Sequence, residues 1–275
     1  MKFGLVMPSG DARRAADLAT AAEQAGWDGF FVWEPVWGID AWVSLTAAAM
    51  VTERIRLGTM LTPLSRMRPW KLASETATLD NLSGGRVTIA VGLGAPDTGF
   101  ADFGEETDRK VRAELLDEGL EILTGLWKGQ PFRFDGKHYT VREHTFQNPP
   151  PPLQRPRVPI WVVGLWPRPK SMRRALRYDG ILPSSIDPET GGARQATPGE
   201  VREIAAHAAA NRPAGAPFDV IVEGTTTPGD PTSLATVKAW EEAGATWFIE
   251  ARWDAPPLSE GADVVLERLR AGPPR

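Results

Sequence analysis

The segment from Arg54 to Pro96 leaves this chain few folds to choose from. It reads as strand, helix and strand with a tight turn at each join: Ile55–Met60, a helix over Trp70–Leu82 closed by Ser83-Gly84-Gly85, then Val87–Val91. A nearly unbroken apolar run such as Val87–Val91 suits a strand covered on both faces, the condition of a parallel sheet flanked by helices. The run stops at Gly92-Leu93-Gly94-Ala95-Pro96, where small residues let another group approach the backbone closely. Consecutive units of this kind, ending in a glycine-rich turn, predict an α/β fold with a ligand site at the carboxyl ends of its strands.

The same grammar recurs on both sides. Phe3–Met7, Gly29–Trp33, Pro159–Gly164, Asp179–Pro183, Phe218–Glu223 and Thr246–Ala251 read as further strands. Helices are predicted over Asp11–Gln24, Asp40–Thr52, Asp108–Trp127, Lys170–Tyr178, Pro198–Asn211, Pro231–Ala243 and Leu258–Arg270. Leu115, Leu116, Gly119, Leu120, Leu123 and Trp127 recur three and four apart, so that helix buries one face. Thr197 followed by Glu200 is a capping box. Eight strand-helix units in 275 residues favour closure over an open doubly wound sheet. The expected fold is therefore a TIM (β/α)8 barrel, a single domain over residues 1–275, with an excursion between strands four and five. That excursion, residues 129–156, carries a hairpin signal at Asp135-Gly136 and a stiff proline tract at Pro149–Pro152. Its Phe132, Phe134 and Tyr139 need a cover, which suggests a lid or a dimer contact. Gly191-Gly192 marks a mobile loop.

Composition removes several functions. A formal net charge of −4 provides no basic field for nucleic acid or an anionic membrane. No run approaches the ~20 apolar residues that span a bilayer, and the first apolar run ends at Pro8-Ser9-Gly10, as a strand would rather than a signal peptide. The absence of cysteine excludes disulfides and thiol chemistry and is compatible with a cytoplasmic setting. None of the histidines, His138, His144 and His207, stands at a strand end, so neither a histidine-based triad nor a histidine metal site is expected.

Thr52-Glu53-Arg54-Ile55-Arg56-Leu57-Gly58-Thr59, Ala77-Thr78-Leu79-Asp80-Asn81-Leu82-Ser83-Gly84-Gly85-Arg86 and Val91-Gly92-Leu93-Gly94 together resemble the bacterial luciferase-like flavin monooxygenase family. Ala22-Glu23-Gln24-Ala25-Gly26-Trp27-Asp28-Gly29 and Arg155-Pro156-Arg157-Val158-Pro159-Ile160-Trp161-Val162-Val163-Gly164 extend the resemblance over most of the chain in the same order. It implies an α/β barrel that binds FMN or the deazaflavin coenzyme F420 and either oxygenates a small organic substrate or exchanges hydride with it. It also implies a homodimer and a separate flavin or F420 reductase as partner.

Under that resemblance, Glu34 and Trp37 after strand two are the candidate catalytic residues. In the family a histidine often follows the acidic residue; here Pro35 takes its place, so a histidine role does not carry over. Thr59-Met60-Leu61 occupies the position of a non-proline cis peptide behind the flavin ring, or else is an ordinary strand end. Gly92, Leu93, Gly94 and Ala95 offer backbone N–H groups to the cofactor, or simply turn into the Pro96 loop. Gly164, Leu165 and Trp166, with Lys170 and Ser171 in the next helical turn, are candidates for phosphate binding. Arg168, Arg173, Arg174 and Arg177 either meet the acidic tail of a polyglutamyl deazaflavin or form a solvated helix face. The expected function is flavin- or F420-dependent oxidoreduction. The rivals are a barrel that binds such a ligand without turnover, and a phosphate-binding lyase or isomerase, for which only Glu34, Glu223 and Glu250 lie near strand ends.

Overall fold

The computed structural model describes residues 1–143, 149–255 and 263–275. Strands β1 (Lys2–Met7), β2 (Gly29–Val32), β3 (Arg56–Pro63) and β4 (Val87–Gly92) alternate with helices α1 (Ala12–Gln24), α2 (Ala41–Met50) and α3 (Pro69–Leu82). After α4 (Arg109–Lys128) come the short strands β5 (Phe134–Asp135) and β6 (Thr140–Val141), then β7 (Ile160–Trp166), α5 (Pro169–Leu176), β8 (Gly180–Ile186) and β9 (Ala193–Gln195). The chain continues through α6 (Pro198–Asn211), β10 (Asp219–Gly224), α7 (Pro231–Glu242), β11 (Trp247–Ala251) and α8 (Val264–Arg270). The part of the last predicted helix before Asp263 lies outside the described residues, as does His144. Asp11, Asp40, Asp108, Thr197, Asp230 and Asp263 each cap a helix by accepting from a first-turn N–H, which is why those helices start where they do.

Parallel pairing runs β10-β11-β1-β2-β3-β4-β7-β8 and returns from β8 to β10, closing an eight-stranded barrel. The closing rungs are only Asp219 with Gly180 and Val220 with Ile181. Above them β8 pairs instead with the antiparallel β9, through Ser184–Ile186. The Gln195 side chain then bridges to β10, donating to the Glu223 carbonyl at 2.6 Å. Sequence patterning does not reveal β9, because Ala193-Arg194-Gln195 shows no apolar alternation.

Strand parity sends one set of side chains inward. Phe31, Trp161 and Trp247 fill the bottom of the barrel, with ring centroids 5.2–6.0 Å apart. Glycines make the room: a Cβ on Gly29, two residues before Phe31 on β2, would lie 2.6 Å from that ring, and one on Gly180 of the neighbouring β8 2.5 Å from Trp161. The Trp161 indole is anchored by donating to Asp219 Oδ2 at 3.1 Å.

The opposite parity sends Glu250 of β11 outward, under α8, where it is fully buried. It accepts from the Thr226 N–H at 3.1 Å and hydroxyl at 2.6 Å, and pairs with Arg252 at 3.1 Å and Arg268 at 3.3 Å. The buried Arg268 also donates to the Gly272 carbonyl at 2.6 Å and lies over the Trp27 ring.

The excursion folds down on α3 and α4. Glu118 accepts from the N–H groups of Lys137, His138 and Tyr139 at 2.8, 3.0 and 3.0 Å. Tyr139 is buried edge-on against Trp70, and Phe132 packs on Gly125, where a Cβ would lie 2.1 Å from the ring. These aromatics therefore have their cover within the chain. Farther along, the buried Asp80 accepts from the backbone N–H of Leu153 at 2.7 Å and of Gln154 at 3.0 Å, fixing the path back to β7.

Candidate active site

The carboxyl ends of the strands enclose a cavity of about 1580 Å³. Met60, Leu61, Val163 and Leu165 give it apolar surface, with Trp33, Phe100 and Trp253 beside them. The Met60–Leu61 peptide is cis, and the pairing of β3 with β4 shifts register between Thr59 and Thr62. Glycines let the side chains here pack closely on the backbone. A Cβ on Gly92 would come within 2.9 Å of Val163 and 3.2 Å of Leu61. Gly94 has φ +76°, and a Cβ there would lie 2.7 Å from Phe100 and 2.8 Å from Pro63. Gly94→Ala is accordingly expected to destabilise the fold by about 1–3 kcal/mol, a left-handed backbone cost to which the contacts add. Thermal melts check this, and an unchanged midpoint would contradict the close packing.

Of the residues singled out from sequence, Glu34, Met60, Leu61, Leu93, Gly94, Ala95, Leu165, Lys170 and Ser171 line the cavity together. Gly92 lies beneath it, against Leu61 and Val163. The others stand elsewhere. Thr59 is buried, its hydroxyl 3.3 Å from the Ala90 carbonyl to which it donates, and Gly164 backs onto Ile181 and Ala175. Trp166 stacks edge-on with His207 beside an outer groove, and Trp37 is 83% exposed. Ser171 Oγ accepts from the Leu165 N–H at 2.9 Å, so the hydroxyl fixes the turn into α5.

The cavity also holds Arg109, Lys110 and Arg112, which the sequence did not single out and which reach it from the first turn of α4, and Glu223, one of the strand-end glutamates noted from sequence, from the end of β10. For Glu223 a signal exists: it lies two residues beyond the inward-facing Ile221, on the same strand face.

Charge is unevenly distributed around the mouth. On the β4–β7 side stand the cations of α4 and α5. Arg174 pairs with Asp117, its Nη2 donating at 2.8 Å, and Arg177 lies 3.4 Å from Glu121. Arg112 is buried, donating to the Leu93 carbonyl at 3.0 Å. Arg109, Lys110, Arg168, Lys170 and Arg173 have no carboxylate within 4.0 Å among the described residues. On the other side, Glu34 and Glu223 end β2 and β10, strands joined around the ring through β11 and β1. Burial pushes the Glu34 carboxyl up to about 7, opposed by the Thr62 hydroxyl and Arg66 and reinforced by Glu75 and Asp40. Its Oε2 is buried without a hydrogen-bond partner among the described residues. Burial likewise raises Glu223, with the Trp253 indole drawing it partly back. Among the described residues no three histidine, cysteine or acidic side chains gather as a metal site, and no helix is long and apolar enough to cross a membrane.

The family model described as luciferase-like monooxygenase matches residues 1–272. An F420-dependent glucose-6-phosphate dehydrogenase of Beutenbergia cavernae is 36% identical over 175 residues, 60% of this chain and 50% of that protein. A protein of the same description from Nocardia farcinica is 36% identical over 142 residues, 46% of this chain and 41% of that protein. The matched regions thus span half or less of these relatives' lengths. Among solved structures, the monooxygenase RslO1 of Streptomyces bottropensis superposes with a TM-score of 0.75 at 21% identity, covering 98% of this chain and 97% of that one. The coenzyme F420-dependent tetrahydromethanopterin reductase of Methanopyrus kandleri gives 0.76 at 17% identity, covering 98% and 96%. At such identities the likeness shows the barrel fold.

Proposed function

The chain belongs to the luciferase-like monooxygenase family, and we propose that it is an oxidoreductase that holds coenzyme F420 in the barrel mouth and exchanges hydride with a small organic substrate. The observation that carries this choice over FMN is the row of cations with no carboxylate partner among the described residues, Arg109, Lys110, Arg168, Lys170 and Arg173. A single phosphate needs fewer. A tail bearing a phosphodiester and several carboxylates would use the whole row.

The rest of the cavity suits the cofactor's ring. The surface of Met60, Leu61, Val163 and Leu165 is apolar enough to cover a flat conjugated system and exclude water. Gly92 and Gly94 let Leu61, Val163, Phe100 and Pro63 pack directly on the backbone beneath that surface. When bound, the deazaflavin supplies a ring carbon that accepts or gives up hydride. The chain's own contribution is position and proton handling. Glu34, with its carboxyl shifted to about 7, can take the proton from a substrate hydroxyl or amine, or return it in the reverse direction.

The test is a fluorescence titration with F420 and with FMN. F420 is expected to bind more tightly, and the double variant Lys170→Ala with Arg173→Ala to weaken it by about tenfold or more, since hydrogen bonds to charged groups contribute roughly 1.5–3 kcal/mol each when partly desolvated. The loss should shrink as salt is added, and FMN affinity should change less. Tighter binding of FMN, or an unaltered F420 affinity in the double variant, would overturn the choice of cofactor.

A further inference from the structure

The acidic side of the mouth has a composition of its own. Glu34 and Glu223 present carboxyl groups to the cavity from β2 and β10, and neither has an ion-pair partner within 4.0 Å among the described residues. Beside them stand Trp33 and Trp253, edge to face at 6.1 Å and 85°. The Trp33 indole N–H is already committed, donating to the Pro8 carbonyl at 2.8 Å. What Trp33 offers a ligand is therefore its π system.

The nearest cations are also committed. Arg66 donates to the Glu34 carbonyl at 3.1 Å and to that of Pro35, and Arg252 pairs with the buried Glu250 at 3.1 Å. An anionic substrate group placed here would meet carboxyl groups with no free cation to offset them. A purely apolar group would shut both carboxyl groups off from water and leave their charge without a partner. A positively charged nitrogen meets both conditions: the carboxylates neutralise it, and the indoles attract it through their ring quadrupoles.

We propose that the Glu34–Glu223–Trp33–Trp253 end of the mouth recognises an organic cation, an ammonium or iminium group on a small apolar body, as the substrate class of this enzyme. The proposal rests on the hydride-transfer reading above for the word substrate; the binding site itself rests on this chain's residues alone. It separates the chain from a sugar-phosphate enzyme, because the free cations lie on the opposite side of the cavity, where the cofactor's acidic tail is placed.

The experiment is calorimetric titration of the full chain, both free and mixed with F420, using three probes: choline, its uncharged isostere 3,3-dimethylbutan-1-ol, and glucose 6-phosphate. Choline is expected to bind at least about tenfold more tightly than the neutral isostere, and glucose 6-phosphate not to displace it. Glu34→Gln and Glu223→Gln should each weaken choline several-fold and leave the isostere nearly unchanged, a split that a general loss of folding would not produce. Equal binding of the two isosteres, displacement of choline by glucose 6-phosphate, or unaltered choline affinity in Glu223→Gln would overturn the proposal. F420 fluorescence on the same samples keeps the two readings apart. If choline selectivity is intact and F420 does not bind, the cation site stands and the cofactor assignment falls; F420 binding without choline selectivity sinks the cation site alone.

Discussion

Glu34→Gln is expected to lower turnover of a hydride-transfer substrate by about 10²–10⁴-fold, the range that positioned acid–base groups contribute, while F420 affinity stays near that of the unaltered chain. The glutamine keeps the shape and removes the proton acceptor. In the direction that oxidises substrate, the unaltered enzyme needs Glu34 as carboxylate, so its rate should rise with pH through about 7. In the reducing direction the acid form is needed and the rate should fall through the same value. Both limbs should vanish in the variant; a limb that persists in Glu34→Gln would assign the titration to another group. Stability should move the opposite way. The folded chain keeps this proton up to about 7, whereas the unfolded chain releases it near 4.5, so stability declines as pH rises between those values. Removing the ionisable group should therefore raise the melting temperature at pH 8, by as much as about 3 kcal/mol in free energy at 1.36 kcal/mol per pH unit, and change little at pH 4. A variant less active yet more stable is the signature of a group kept for chemistry rather than packing.

Glu250→Ala should do the reverse, costing about 3–5 kcal/mol of stability because it leaves Arg268 charged, buried and short of its carboxylate. The Thr226 N–H and hydroxyl lose their acceptor as well. Denaturant melts should show the midpoint falling with an unchanged slope. The double variant Glu250→Leu with Arg268→Met should recover much of the loss, since it removes the buried Arg268 charge together with its carboxylate and leaves only the partly exposed Arg252 without a partner. A loss below about 1 kcal/mol in Glu250→Ala would mean that water reaches the cluster. Among the glutamates near strand ends, Glu250 is thus the structural one, separated by strand parity from Glu34 and Glu223.

That separation shows what the sequence could tell. The barrel is legible because β4 is apolar on both faces and because Asp11, Asp108 and Thr197 announce their helices by side-chain capping. The ends of β7 and β8 are less so: Leu165-Trp166 continue β7 past Gly164, and Ser184-Ser185-Ile186 continue β8 past its apolar run. In β8 the polar residues are accommodated by the antiparallel partner β9. Glu34 is visible as an acidic residue at a strand end. Arg109 and Lys110 are not visible as partners of Lys170 and Arg173, because only the adjacency of β4 and β7 brings α4 beside α5 after the excursion. The hairpin signal was real, yet its strands are only two residues long, since Glu118 takes up the N–H groups at the turn.

The join between β8 and β10 gives the barrel an uneven mechanical character. A hoop of eight staves resists widening most where each stave is bonded along its full length to the next. Here main-chain rungs hold only the lower part of one joint, and the upper part depends on β9 and a single glutamine side chain. Local breathing costs least along that line, because it breaks the fewest backbone bonds and leaves the aromatic floor undisturbed. Gly191, Gly192 and Ala193 form the cavity wall at that line, and Glu223 stands just across it. Compliance and rigidity are thus divided within one ring: the cations Arg109, Lys110, Lys170 and Arg173 stand on α4 and α5, whereas the wall between β8 and β10 can yield to guests of different bulk.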